Sequence, residues 1–213
     1  MAEKKLSKII TPILLLAAIS VLSFFMNKYR ILARHFIFPL LLFTLPTACD
    51  PLFRPKKLFL PSKEGLKLFL WVTLATLVFY PPLFFAYNLG FMNRALATPT
   101  TNELMKAVTK GLIAIAVAAI PEEFFFRGYL QEHVFSGFDK KILKIISLKN
   151  LFTSILFGLV HALAFLDITR AATFFPSLLF GLFTEKSKGR IFYSISYHVV
   201  SNILAFILWT FVG

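Results

Sequence analysis

The sequence predicts an all-α fold, a polytopic membrane helical bundle of about seven transmembrane helices. Three observations predict it. The 213 residues are 58% hydrophobic and their mean hydropathy is +0.77, well above the range of an ordinary soluble domain. The apolar residues gather in runs close to the roughly 20 residues that one helix needs to cross a bilayer core of about 30 Å. The basic residues fall in the short stretches between those runs. With no internal repeat and no low-complexity linker, residues 1–213 read as a single integral membrane domain.

The first span, residues 9–26, follows MAEKKLSK and has the outline of a secretory signal. No small-residue cleavage site comes after it, so a retained helix is expected. The second span, 31–49, is interrupted by Arg34, His35 and two prolines. The third, 66–89, contains Tyr80-Pro81-Pro82, read as a kink. The fourth, 105–126, carries two adjacent carboxylates after Pro121, which has no N–H to give the helix and is expected to open room beside Glu122. The fifth, sixth and seventh are 151–168, the short 171–183, and 191–212. Between the fourth and fifth, residues 128–149 place Leu143, Ile145, Ile146 and Leu148 among lysines. That pattern suits an amphipathic helix in the interface, attracted to anionic headgroups, and equally a solvated loop. The 27 phenylalanines read mostly as lipid-facing bulk.

A net charge of +13 would suggest nucleic acid in a soluble protein. Here the charge follows the loops, so no nucleic-acid partner is expected. Of the 23 Lys and Arg residues, seven fall on one side of the alternating spans: Lys28, Arg30, Arg34, Arg94, Lys106, Lys110 and Arg170. The larger set, on the other side, places the N-terminus in the cytoplasm and, with seven spans, the C-terminus outside. The single cysteine, Cys49, excludes an intramolecular disulfide and a thiol-cluster metal site.

Against this apolar background four ionisable residues stand out: Glu122, Glu123, His161 and His198. A charged side chain in a membrane helix costs roughly 2.5–3.5 kcal/mol on insertion scales, which makes each a functional candidate. At 1.5 Å per residue, Glu122 lies about 8 Å, His198 roughly 10 Å and His161 roughly 15 Å from the cytoplasmic ends of their spans. Three residues distant in sequence thus converge on one layer of the cytoplasmic half. Glu123 and Arg127 are four apart and can pair on one helix face; His198 and Asn202 share that spacing. Gly158, between Phe157 and His161, permits close helix approach. Each feature also has a plainer reading: a lone intramembrane His or Asn as interhelical glue, Glu123–Arg127 as a structural ion pair. Glu122, which has no basic partner at helical spacing, resists that treatment. Two carboxylates, two imidazoles and an arginine are the groups an acid/base hydrolase requires.

These residues resemble the CAAX protease and bacteriocin-processing (CPBP, or Abi) intramembrane glutamic endopeptidases, which include the CAAX prenyl endopeptidases. The family pattern EExxxR, FxxxH and HxxxN or HxxxD matches Glu122-Glu123…Arg127, Phe157…His161 and His198…Asn202, in order and on three separate spans. The likeness covers about residues 105–205; the first hundred match only in being membrane spans. The resemblance implies that Glu122 is a general base activating water, with His161 holding the water and shuttling the proton. It implies that His198 and Asn202 form an oxyanion hole, and that Glu123 and Arg127 position the helix and tune the site. No cofactor and no metal are implied. The implied substrate is a membrane-associated protein or peptide, lipidated or membrane-anchored. The implied location is the inner or plasma membrane, with the active site in the cytoplasmic half.

Two alternatives compete. Glu122, His161 and His198 could bind zinc as a catalytic set, against which stand the absence of HExxH and of a further carboxylate to orient each His. A non-enzymatic membrane scaffold, immunity-type protein or small transporter could use the same cluster for hydrogen bonding or proton movement.

Overall fold

Apolar runs of this length fold as helices because lipid offers the backbone no hydrogen-bond partner. The computed structural model describes residues 2–29, 31, 34–55, 57–142 and 144–212; Arg30 and Leu143, cited above, lie outside them. The chain is an all-α membrane bundle, with seven helices among the described residues. These are α1 (Ala2–Lys28), α2 (Arg34–Cys49), α3 (Lys63–Phe91, its last six residues π-helical), α4 (Thr101–Val134), α5 (Leu148–Phe165), α6 (Phe174–Lys186) and α7 (Phe192–Trp209). Among the described residues five are long and apolar enough to cross a membrane: α1 from Ile9, α3, α4, α5 and α7. The expected spans 31–49 and 171–183 are the 16-residue α2 and the 13-residue α6. At 1.5 Å per residue these measure about 24 Å and 20 Å, short of the hydrocarbon thickness.

The fourth span departs most from expectation. It begins at Thr100, a capping box with Glu103, and runs well past Arg127 to Val134. Two π-helical stretches, Ile115–Ala119 and Phe124–Val134, flank the α-helical turn Ile120–Glu123. The wide turn before Pro121 meets the difficulty a proline ring makes for the carbonyl four residues back. Arg127, expected near a helix end at the interface, is instead fully buried.

Residues 128–149 do not form an interfacial amphipathic helix. Their first part extends α4. The rest is a small antiparallel hairpin, β1 (Lys141–Ile142) against β2 (Ile146–Ser147). Lys144 takes a positive φ of 62° at its tip. Ser147 then caps α5 by accepting from Asn150 N–H, so the apolar residues there serve a turn and a helix start.

The phenylalanines divide between the exposed surface and the core. Phe36 and Phe91 are exposed, whereas Phe124, Phe125 and Phe126 are at most 2% exposed and anchor the main core with Phe157, Phe180 and Phe183. α4 lies along α7, where a Cβ on Gly111 would meet Ile203 Cγ1 at 2.5 Å. Thr76 and Tyr197 join α3 to α7 through a 2.6 Å hydroxyl pair. Asn27 of α1 donates to the Ala164 carbonyl of α5 at 2.9 Å. Gly158 does allow a close approach, though from the 3-10 turn Ile168–Thr173, whose Ala171 carbonyl would lie 2.9 Å from a Cβ there.

Candidate active site

α4, α5, α6 and α7 meet around the Pro121 turn, and polar side chains fill the junction. Glu122 Oε2 lies 3.8 Å from His161 Nε2 and 3.9 Å from His198 Nε2, too far for a direct hydrogen bond. That oxygen is buried and has no hydrogen-bond partner among the described residues. His161 Nδ1 is 2.9 Å from the Phe157 carbonyl one turn back, and His198 Nδ1 is 3.0 Å from Glu123 Oε1. Carbonyl and carboxylate oxygens only accept, so both Nδ1 atoms carry the proton. In its neutral form each imidazole presents an Nε2 lone pair towards Glu122. In that form three acceptors converge on one small volume.

The rings are held by aromatics as well. Phe180 of α6 stacks on His198 at 4.6 Å with 13° between planes. Phe157 lies 4.3 Å from His161. Neither imidazole is free to swing without displacing a buried ring.

Glu123 projects about 100° around the helix from Glu122, as adjacent helical positions do, and meets the other nitrogen of the His198 ring. Its carboxylate is sealed from solvent and accepts from His198 and from Ser194. It also pairs with Arg127 Nε at 3.4 Å. Arg127 in turn donates to Ser177 of α6 and, at 3.2 Å, to Gln131 Oε1, with its guanidinium 5.7 Å from the Phe157 ring centre and 6.0 Å from that of Phe180. Gln131 Nε2 donates to the Gly181 carbonyl at 3.0 Å. A Cβ on Gly181 would collide with Asn150 Oδ1 and come within 2.6 Å of Gln131 Oε1, so α6 approaches this closely because residue 181 has no side chain.

Five of the six residues singled out in the sequence are thus joined in one cluster: Glu122, Glu123, Arg127, His161 and His198. Asn202 stands apart. It follows His198 by one turn of α7 and is half-buried, but it makes no hydrogen bond to any described residue. Ser194, Ser177, Gln131 and Phe180 were not foreseen. Ser194 at four before His198 and Gln131 at four after Arg127 carried a helical spacing signal; Ser177 and Phe180, on a different helix from the groups they touch, carried none.

His198 does have a carboxylate to orient it, Glu123, whereas His161 is oriented by the Phe157 carbonyl and not by a carboxylate. Even so, among the described residues no group of three or more His, Cys, Asp or Glu side chains is arranged to hold a metal ion.

A family model described as Type II CAAX prenyl endopeptidase Rce1-like matches residues 104–204, the stretch from early α4 to α7 that contains all six residues. No curated protein and no solved structure gives a significant match.

Proposed function

We propose, for a chain that belongs through residues 104–204 to the CAAX protease family, a glutamate-based hydrolysis of a peptide bond within the membrane. Membership supports a membrane endopeptidase acting on a membrane-anchored protein; the mechanism that follows is our reading of the cluster. The observation that carries it is the Glu122 Oε2 atom, buried without a hydrogen-bond partner among the described residues and nearly equidistant from two imidazole Nε2 atoms.

Three converging acceptors suit a molecule with two hydrogens to give. A water would donate to Glu122 and to one imidazole, turning an oxygen lone pair towards an incoming carbonyl carbon. Glu122 takes one proton as the C–O bond forms. The tetrahedral oxyanion then collapses, the C–N bond breaks, and the proton passes from Glu122 or through His161 to the leaving amine. His198 could donate to the oxyanion only with both ring protons in place, Nδ1–H being already given to Glu123. The Asn202 amide, uncommitted and one turn away, is the second candidate donor. Glu123 and Arg127 touch no reacting atom in this scheme and act as positioning residues.

The same charge reading supports a cytoplasmic N-terminus and a site opening towards the cytoplasmic half of the cell membrane. Residues 1–213 act together as one membrane domain in this proposal, with 105–205 as its catalytic part.

Glu122→Gln tests the mechanism. It removes the base at nearly constant volume, so cleavage of a prenylated CAAX peptide by purified protein in detergent should be lost while the melting temperature holds. Wild-type turnover in that variant would sink the glutamate mechanism.

One observation favours a second reading. Both histidines are fixed through Nδ1 by a carboxylate or carbonyl, the way metal-ligating histidines are oriented, so small movements would make Glu122, His161 and His198 a zinc set. A chelator separates the two: loss of cleavage restored by zinc alone assigns the three residues as ligands.

A further inference from the structure

Residues 135–149 carry α4 into α5 at one end of the bundle, and the base of this connection is held differently from its tip. At the base, Lys149 N–H donates to the Phe138 carbonyl at 3.0 Å and Leu148 N–H to the Lys140 carbonyl at 2.9 Å. The Lys149 ammonium bridges Glu132 of α4 at 3.1 Å and Asp139 at 2.9 Å. Phe138 lies edge-on to Phe135 and to Phe152 of α5, with ring centres 6.1 Å and 5.5 Å away. The base is thereby fastened to both helices it joins.

The tip is not fastened. It is the turn from Ile142 to Ile145, closed by the Ile145 N–H on the Ile142 carbonyl at 3.2 Å. Ile142 is 39% and Ile145 59% exposed, and Lys140, Lys141 and Lys144 are exposed around them. Lys141 acts on the Glu185 carboxylate of α6. Among the described residues, Lys140 and Lys144 form no ion pair.

Exposed apolar side chains are ordinary on helices that cross a bilayer. On a turn beyond the helix ends, two neighbouring isoleucines call for a cover. A ladder of two residue pairs is also marginal in water by itself, so a surface that receives the tip stabilises it. A stable protein–protein contact needs about 800 Å² from each side, more than two half-exposed isoleucines and three lysines present. The bilayer is already adjacent. Its headgroup layer suits this composition, with apolar side chains at the acyl boundary and ammonium groups on the phosphates.

We propose that the α4–α5 hairpin is a lipid anchor: Ile142 and Ile145 enter the headgroup layer, and Lys140, Lys141 and Lys144 select anionic phospholipids. The proposal does not depend on hydrolysis at Glu122. Because the base is fastened to Glu132 and Phe152, the anchor fixes the level at which α4 and α5, the helices of Glu122 and His161, sit in the bilayer. Each lysine near an anionic surface strengthens the attraction about fivefold. Salt weakens it, since the Debye length falls from about 10 Å at 0.1 M to about 3 Å at 1 M.

The test places an environment-sensitive nitrobenzoxadiazole on Ile145→Cys in a Cys49→Ala background. The full chain is held in nanodiscs of phosphatidylcholine alone or mixed with phosphatidylglycerol. Emission should be brighter and blue-shifted in the mixed bilayer, and quenched there by lipids carrying a doxyl group near the headgroup. Molar salt should reverse the shift in the same protein. Lys140→Gln, Lys141→Gln and Lys144→Gln together should abolish the difference between the two bilayers while the melting temperature in detergent holds. Water-like emission in both bilayers overturns the proposal. So does equal burial in both, which would leave the lysines no part. Should the triple variant fail to fold, the salt response decides alone: a blue shift indifferent to molar salt overturns the proposal too.

Discussion

His198 gives its Nδ1 proton to Glu123 at 3.0 Å across the α4–α7 contact, with the imidazole 6% exposed and the carboxylate sealed completely. The second glutamate of the pair is therefore a structural clasp between two helices and the orienting partner of an imidazole that faces the first. The two adjacent carboxylates differ in burial and in partners, so their substitutions should differ in kind.

Glu123→Gln should act on stability before chemistry. The carboxylate accepts from Ser194 and His198 and faces the Arg127 guanidinium. An amide puts a donor against donors and leaves Arg127 buried without a counter-charge. Breaking a buried pair on one side costs about 3–5 kcal/mol. Thermal unfolding in detergent should show the loss, in contrast to Glu122→Gln, which should melt with the wild type.

Asn202→Ala separates an oxyanion donor from helix glue. The Asn202 side chain has no hydrogen bond to another described residue to lose, so stability should stay within about 0.5 kcal/mol of wild type. If its amide meets the developing oxyanion, kcat per folded molecule should fall about 10²–10³-fold with KM nearly unchanged. His198→Ala should do at least as much, and the double variant should cost less than the sum because both groups serve one charge. Normal turnover in folded Asn202→Ala removes that residue from the site.

Gly181→Ala should loosen the support under Arg127. The new methyl would meet Asn150 Oδ1 and Gln131 Oε1, and the Gln131–Gly181 hydrogen bond lies in the same contact. Overpacking of this kind costs about 1–3 kcal/mol. A melting temperature equal to wild type would show that α6 can step back without disturbing the junction.

Orientation is accessible to thiol chemistry. After Cys49 is replaced, a single cysteine within residues 140–149, in or beside the hairpin, should resist an impermeant maleimide in intact cells and react once the membrane is opened. Labelling in intact cells would invert the topology and carry the site to the other leaflet.

Much of this arrangement was legible in one dimension. Apolar runs of bilayer length announced membrane helices because lipid forces backbone hydrogen bonds to close within a segment. The four-residue spacing of Glu123 and Arg127 announced their pair because both lie on one helix. Glu122, His161 and His198 announced themselves by the cost of charge among apolar neighbours. Periodicity describes the faces of a single helix, however, and is silent on which helix each face meets. Ser177 on Arg127 and Phe180 on His198 depend on distances between segments remote in the chain, so they emerged with the folded bundle. The same limit explains the phenylalanines. Lipid tails and a neighbouring helix are equally apolar, so nothing in the run FFF distinguishes Phe124–Phe126 in the core from the exposed Phe36 or Phe91. That choice belongs to packing.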